Sequence, residues 1–207
     1  MIDNGKEEIV LREFKGANAG GDAFDKYIEM KTDISFYASD SMRIIIEYDD
    51  DSQWGWWAGI DNILVTASGS GNIVLGETFN GCAKPENWQT EIVNGVDDWQ
   101  FDIFYDNRSI DGTCFAFFND DILGENAPLS KIRLYSPFLT ANNTANIRLN
   151  RFHFSESTNK MNTFSFYIDN GKEWIPVKTY NGDVGGPNVD QFCQREHRFI
   201  PFQKRKY

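Results

Sequence analysis

Met42-Arg43-Ile44-Ile45-Ile46-Glu47-Tyr48 decides the fold: a short run rich in β-branched residues, closed by the turn cluster Asp49-Asp50-Asp51-Ser52. Seven such residues between turn signals read as a strand rather than a helix. Working outward, the same reading holds for Asn62-Ile63-Leu64-Val65, Cys114 to Phe118, Ile132-Arg133-Leu134-Tyr135, Ala145 to Phe154 and Phe164-Ser165-Phe166-Tyr167-Ile168. Turn chemistry separates them at Ser68 to Asn72, Asp106 to Ser109, Gly124 to Pro128 and Asn142-Asn143-Thr144. These clusters recur at roughly the spacing of a sandwich. No segment keeps an apolar stripe of period 3.6 over ten residues, so the chain is predicted to be all-β, a jelly-roll or related β-sandwich whose sheets bury one face against each other.

The chain also repeats itself. Ile2-Asp3-Asn4-Gly5-Lys6-Glu7 recurs as Ile168-Asp169-Asn170-Gly171-Lys172-Glu173, a spacing of 166 residues. Weaker likeness continues to Phe192. An Asn-Gly turn accounts for two of the six identities and not for the others. With one period of 166 residues in a chain of 207, most of the sequence is single copy. The Gly/Ser stretch 68–72 is the natural linker. The expected organisation is 1–67 as the closing half of one module, 73–192 as the opening half of the next, and one sandwich assembled from them in circularly permuted order. Residues 193–207 form an atypical basic tail. Residues 191–207 hold five basic side chains and one acidic, against 15 and 30 over residues 1–190. A one-nucleotide shift lets the tail encode Asp-Leu-Ser opposite Asp33-Ile34-Ser35 of the first copy, so it is read as out of frame.

Twenty Lys and Arg against thirty-one Asp and Glu give a net charge of −11, which argues against nucleic-acid phosphates and anionic membrane surfaces as partners. No apolar run approaches the roughly 18 residues of a membrane-spanning helix. Met1 to Glu8 lacks the apolar core of a signal peptide, so an extracellular role requires that export be directed from elsewhere in a larger protein.

A catalytic set is missing. There is no Gly-x-Ser-x-Gly elbow, His-Glu-x-x-His pair or phosphate-cradling loop, and only two histidines, His153 and His197. Glu47-Tyr48-Asp49 has the first spacing of a glycosidase carboxylate strand and none of the rest. The expectation is a non-enzymatic protein. Cys82 and Cys114 could pair in an oxidising compartment or remain buried thiols, and their spacing does not decide which.

Two groups of residues invite a binding role. Asn119-Asp120-Asp121 follows an apolar strand, Glu77 lies on a short one and Asp61 follows Gly59-Ile60. Hard cations such as calcium gather six to eight oxygens of this kind from separate loops. The alternative is an Asx-rich turn with two solvated edge acids. Trp54, Trp56 and Trp57 would stack on sugar rings or anchor a protein if exposed. If turned inward, Trp57 is core and Trp54 closes a loop.

The order of Gly76-Glu77-Thr78-Phe79-Asn80-Gly81, Pro85-Glu86-Asn87-Trp88, Asp97-Asp98-Trp99-Gln100-Phe101, Phe117 to Gly124 and Leu134-Tyr135-Ser136-Pro137 resembles the opening half of MAM-like jelly-roll modules of the cleaved-adhesin or choice-of-anchor J type. Trp54 to Ile63 resembles their closing half. Such modules stand in tandem in secreted or surface-attached bacterial proteins, including the haemagglutinin regions of gingipain-type proteases. The resemblance implies a non-catalytic adhesive unit with structural calcium held by Glu77, Asn119, Asp120, Asp121 and Asp61. It implies an extracellular glycan or protein ligand, with neighbouring modules of the same polypeptide as further partners. An accessory domain of a secreted peptidase or glycosidase, and a pure spacer, are the other readings.

Overall fold

The computed structural model describes residues 2–3, 7–9, 28–34, 42–50, 57–67, 70–103, 109, 111–124, 126–139, 144–154, 163–169 and 173–181. Thirteen strands follow in order: β1 (Ile2–Asp3), β2 (Glu7–Ile9), β3 (Ile28–Asp33), β4 (Arg43–Asp49), β5 (Trp57–Ala67), β6 (Ile73–Glu77), β7 (Gln89–Asn94), β8 (Gln100–Asp102), β9 (Phe115–Asn119), β10 (Lys131–Tyr135), β11 (Thr144–Phe154), β12 (Thr163–Asp169) and β13 (Glu173–Asn181). A single 3-10 turn, Asp121–Leu123, and no α-helix occurs among the described residues. All six stretches read as strands from the sequence are strands.

The strands form two sheets. The seven-stranded sheet runs β1-β2-β13-β12-β4-β10-β7, and the six-stranded sheet runs β3-β11-β5-β9-β8 with β6 also on β5. Among the described residues every pairing is antiparallel except the parallel one between β2 and β13. The two copies of the repeat each contribute a hairpin, β1–β2 and β12–β13, and the hairpins lie side by side. Residues 68–72 join β5 to β6, with Ala67 N donating to Asn72 O at 2.8 Å and Gly71 N to Ala67 O at 3.1 Å.

The core lies between the sheets. Ile44, Ile46 and Tyr48 of β4 meet Ala58 and Ile60 of β5 and Ala116 and Phe118 of β9. The rings of Tyr48 and Phe118 are 4.9 Å apart. On the opposite face of the six-stranded sheet Trp57, Phe115 and Phe117 form a second aromatic layer over Gly59. Strand β5 stays in the core along its length because of one irregularity. Ala58 and Ile60 point inward, and so do Ile63 and Val65, which strict alternation forbids. Asn62 has φ 54°, and three steps along β5 from Asp61 to Leu64 face two along β11 from Asn150 to Arg148. This β-bulge resets the alternation.

The other face of the seven-stranded sheet carries charge. Glu47, 3% exposed, accepts from Arg133 Nε at 2.7 Å and from the Tyr167 hydroxyl at 3.1 Å, with Lys131 Nζ at 3.5 Å. Burial alone would lower the Arg133 guanidinium, but the Glu47 carboxylate outweighs it and holds it above its ordinary value. The Arg133 guanidinium also stacks on Trp174 at 4.4 Å. Glu47 is thus a neutralised tie between β4, β10 and β12.

Candidate cation site

Asp61 sits at the bulge of β5 with its side chain fully buried. Its Oδ1 accepts from Asn62 N at 2.7 Å, and its Oδ2 has no hydrogen-bond partner. Burial, then the Asp111 carboxylate and, more weakly, that of Glu77, push its pKa up to about 8, against the lowering effect of the Asn62 amide. An orphaned carboxylate oxygen in the field of two further carboxylates is costly unless something positive joins it.

The elements around it supply more oxygens. Glu77 ends β6, opposite Ile63, and its Oε1 accepts from Phe79 N at 2.7 Å. Asp111 stands in the turn before β9, where its Oδ1 accepts from Thr113 N at 3.0 Å. The Thr113 hydroxyl lies between Oδ1 of Asp111 and Oδ1 of Asn80, within hydrogen-bonding reach of both. A hydroxyl has one proton and can donate to one of them at a time. Asp61, Glu77, Asp111, Asn80 and Thr113 carry oxygen donors of the kind a hard cation such as calcium takes, but the three carboxylates are not gathered within 4.8 Å of one another, so a shared ion would have to draw them together.

A disulfide between Cys82 and Cys114, with Cα atoms 5.2 Å apart, ties the turn after Asn80 to the residue after Thr113. The pairing left open by the sequence is therefore made. Asp102 lies close to both sulfurs, but bonded sulfurs are not thiolate ligands, so this cluster does not suit a soft metal.

The five residues expected to share one cage are divided. Asp61 and Glu77 lie on the paired strands β5 and β6, near enough for the Glu77 charge to act on Asp61. Asn119 pairs with Trp57, four residues before Asp61, so it stands about 13 Å along the strand from the Asp61 end at a rise of roughly 3.3 Å per residue. Asn119 is buried and its Oδ1 has no hydrogen-bond partner. Asp120, just after β9, is buried and accepts from Ser130 Oγ at 2.9 Å, while Asp50 accepts from Ser130 N at 2.6 Å. Burial and the Asp120 and Asp50 carboxylates raise the neighbouring Tyr48 phenol well above its ordinary range. Asp121 is exposed in the 3-10 turn. Asp111, Asn80 and Thr113 were not singled out from the sequence; the Asp-Gly turn before a strand was the only local sign.

Trp57 is 1% exposed, with its ring centroid 6.2 Å from that of Phe115, which fits the core reading and leaves no ring face for a ligand. Trp54, Trp56, Cys193, His197 and the tail 193–207 lie outside the described residues. Comparison of the chain with protein families, curated proteins and solved structures finds no match.

Proposed function

We propose that the chain is a non-catalytic, adhesin-like binding module of the jelly-roll type, stabilised by calcium and assembled in permuted order from two partial modules of a secreted bacterial surface protein. The observation that carries the calcium reading is Asp61, a buried carboxylate with an unpartnered oxygen in the electrostatic field of Asp111 and Glu77. The adhesive reading rests on the likeness of the ordered motifs from Gly76 to Pro137 to cleaved-adhesin modules. Calcium here has a structural role: it ties the β5 bulge, the end of β6 and the turn before β9, segments whose ordering otherwise costs entropy. The ligand is an extracellular glycan or protein, for which Trp54 and Trp56, outside the described residues, are the stacking candidates.

The test is a melt of the full chain in calcium and in chelator, repeated for Asp61→Asn and Asp120→Ala. Calcium is expected to raise the Tm of the unsubstituted chain and of Asp120→Ala, and to leave Asp61→Asn unmoved. An unsubstituted chain that melts identically in both conditions ends the calcium reading. Glycan-array binding lost in Trp56→Ala supports the platform, and an array with no binding to either chain leaves the spacer role.

A further inference from the structure

Cys82, Asp102 and Cys114 come from three elements and meet at one point. Cys82 lies in the turn after Phe79, where its amide donates to Phe79 O at 3.1 Å. Asp102 ends β8 directly opposite Phe115, the first residue of β9, and Cys114 is the residue before it. Among the described residues these are the one set of three metal-ligating side chains whose ligand atoms all lie within 4.8 Å of one another. Cys82 and Asp102 are exposed and Cys114 is buried, so the point is anchored from the interior and reached from solvent.

A disulfide needs two sulfurs, and the Asp102 carboxylate has no part in that bond. As a metal ligand the same carboxylate is well placed. Its Oδ1 accepts from Ile103 N at 2.7 Å, which fixes the group and leaves its second oxygen for an ion. Two thiolates and one carboxylate oxygen are three protein ligands of an open tetrahedral zinc site, with Zn–S about 2.3 Å and Zn–O about 2.0–2.2 Å. Sulfurs on such an ion stand roughly 3.8 Å apart. With the two Cα atoms 5.2 Å apart, a turn of the exposed Cys82 side chain opens the sulfurs to that separation.

We propose that reduction converts this disulfide into a site for zinc or another thiophilic divalent cation, held by Cys82 Sγ, Cys114 Sγ and one oxygen of Asp102, with water in the fourth position. A dithiol reductant supplies the electrons. Its thiolate attacks the exposed Cys82 sulfur, and the protein's S–S bond breaks with its electron pair passing to Cys114 Sγ, which takes a proton. The second thiol of the reductant then closes a cyclic disulfide and releases the Cys82 sulfur, which is protonated in turn. While no ion is bound, the Asp102 charge favours the two protonated thiols; zinc displaces both protons as it binds. The turn at Cys82 and the start of β9 are thereby tied in both states, by a covalent bond when oxidised and by the ion when reduced. Neither the calcium nor the adhesive reading is required for it.

The site is read on the full-length chain carrying Cys193→Ser, which removes the third cysteine of the sequence. The chain is reduced under nitrogen, freed of reductant and titrated with cobalt(II), then with zinc. Cobalt is expected to give a thiolate-to-metal charge-transfer band and strong tetrahedral bands in the visible, which zinc bleaches, while the oxidised chain gives neither. Asp102→Ala is expected to weaken both ions by at least the roughly tenfold that loss of an outer-shell partner costs. Asp61→Asn is expected to keep the bands, and their loss would overturn the proposal by placing the ion at the other carboxylates. A reduced chain without a thiolate band, or an affinity unchanged in Asp102→Ala, also overturns it. So does a reduced chain that loses its near-UV dichroism and does not regain it with zinc.

Discussion

Asp61 couples cation binding to pH. With its pKa pushed up to about 8 in the folded chain and near 3.8 in the unfolded one, the native state without a cation holds a proton that the unfolded state releases. The stability from this group is fully present below about pH 4 and is lost as pH rises towards 8, by up to about 1.4 kcal/mol per pH unit. A divalent cation takes the place of that proton. Calcium affinity is therefore expected to rise about tenfold per pH unit from roughly pH 6 to 8 and to level off above. Calorimetry in buffers of different ionisation enthalpy should show one proton released per ion near pH 7, and a pH-independent affinity would refute the assignment to Asp61. At Gly59 the issue is space. An added Cβ would lie 2.7 Å from Phe115 Cε2 and 3.1 Å from the Trp57 ring, both part of a buried layer. Gly59→Ala is expected to cost about 1–3 kcal/mol, seen as a lower urea midpoint with an unchanged slope.

Strand β5 shows what was legible in the sequence and what was not. Its segment Asn62 to Val65 is evident as β-branched sequence, and so are β4, β9, β10, β11 and β12, because alternation and turn residues are local signals. The bulge at Asn62 is not evident: it follows from the register of β5 against β11, a distant strand. The same limit applies to the candidate site. Asp61 and Glu77 are neighbours because β6 folds back on β5, which their spacing allows, whereas the placing of Asn119 at the far end of β9 and of Asp111 at the near end depends on the β5–β9 register. The disulfide lies on the same elements, fixing the turn at Cys82 to the start of β9 across 32 residues. Replacing both cysteines by serine should cost about 2–4 kcal/mol of stability in chelator, as removal of a loop constraint does. It should also weaken calcium binding, since Asn80 and Thr113 lose their shared anchor. Denaturant melts with and without calcium measure both effects, and an unchanged affinity would separate the disulfide from the site.

Interleaving makes the two sheets one thermodynamic unit. A chain built as two partial modules in a row would be expected to lose its halves separately, whereas β4 and β5, in the stretch before residues 68–72, have no partner within it and cannot outlast the second stretch, after them. Glu47 strengthens this coupling from the β4 side, since its carboxylate holds Arg133 and Lys131 of β10 and Tyr167 of β12 at once. Glu47→Gln leaves the half-buried Arg133 without its closest charge, a change that costs about 3–5 kcal/mol for a buried pair. The loss should appear as a downward shift of one transition rather than as the splitting off of a second. Far-UV dichroism and the near-UV signal of the buried Trp88, Trp99 and Trp174 are expected to melt together in both the unsubstituted chain and Glu47→Gln, with calorimetric and van't Hoff enthalpies equal. Two separated transitions, one carrying the near-UV signal and one without it, would mean that the second stretch keeps structure of its own and that the interleaved sheets are not the folding unit.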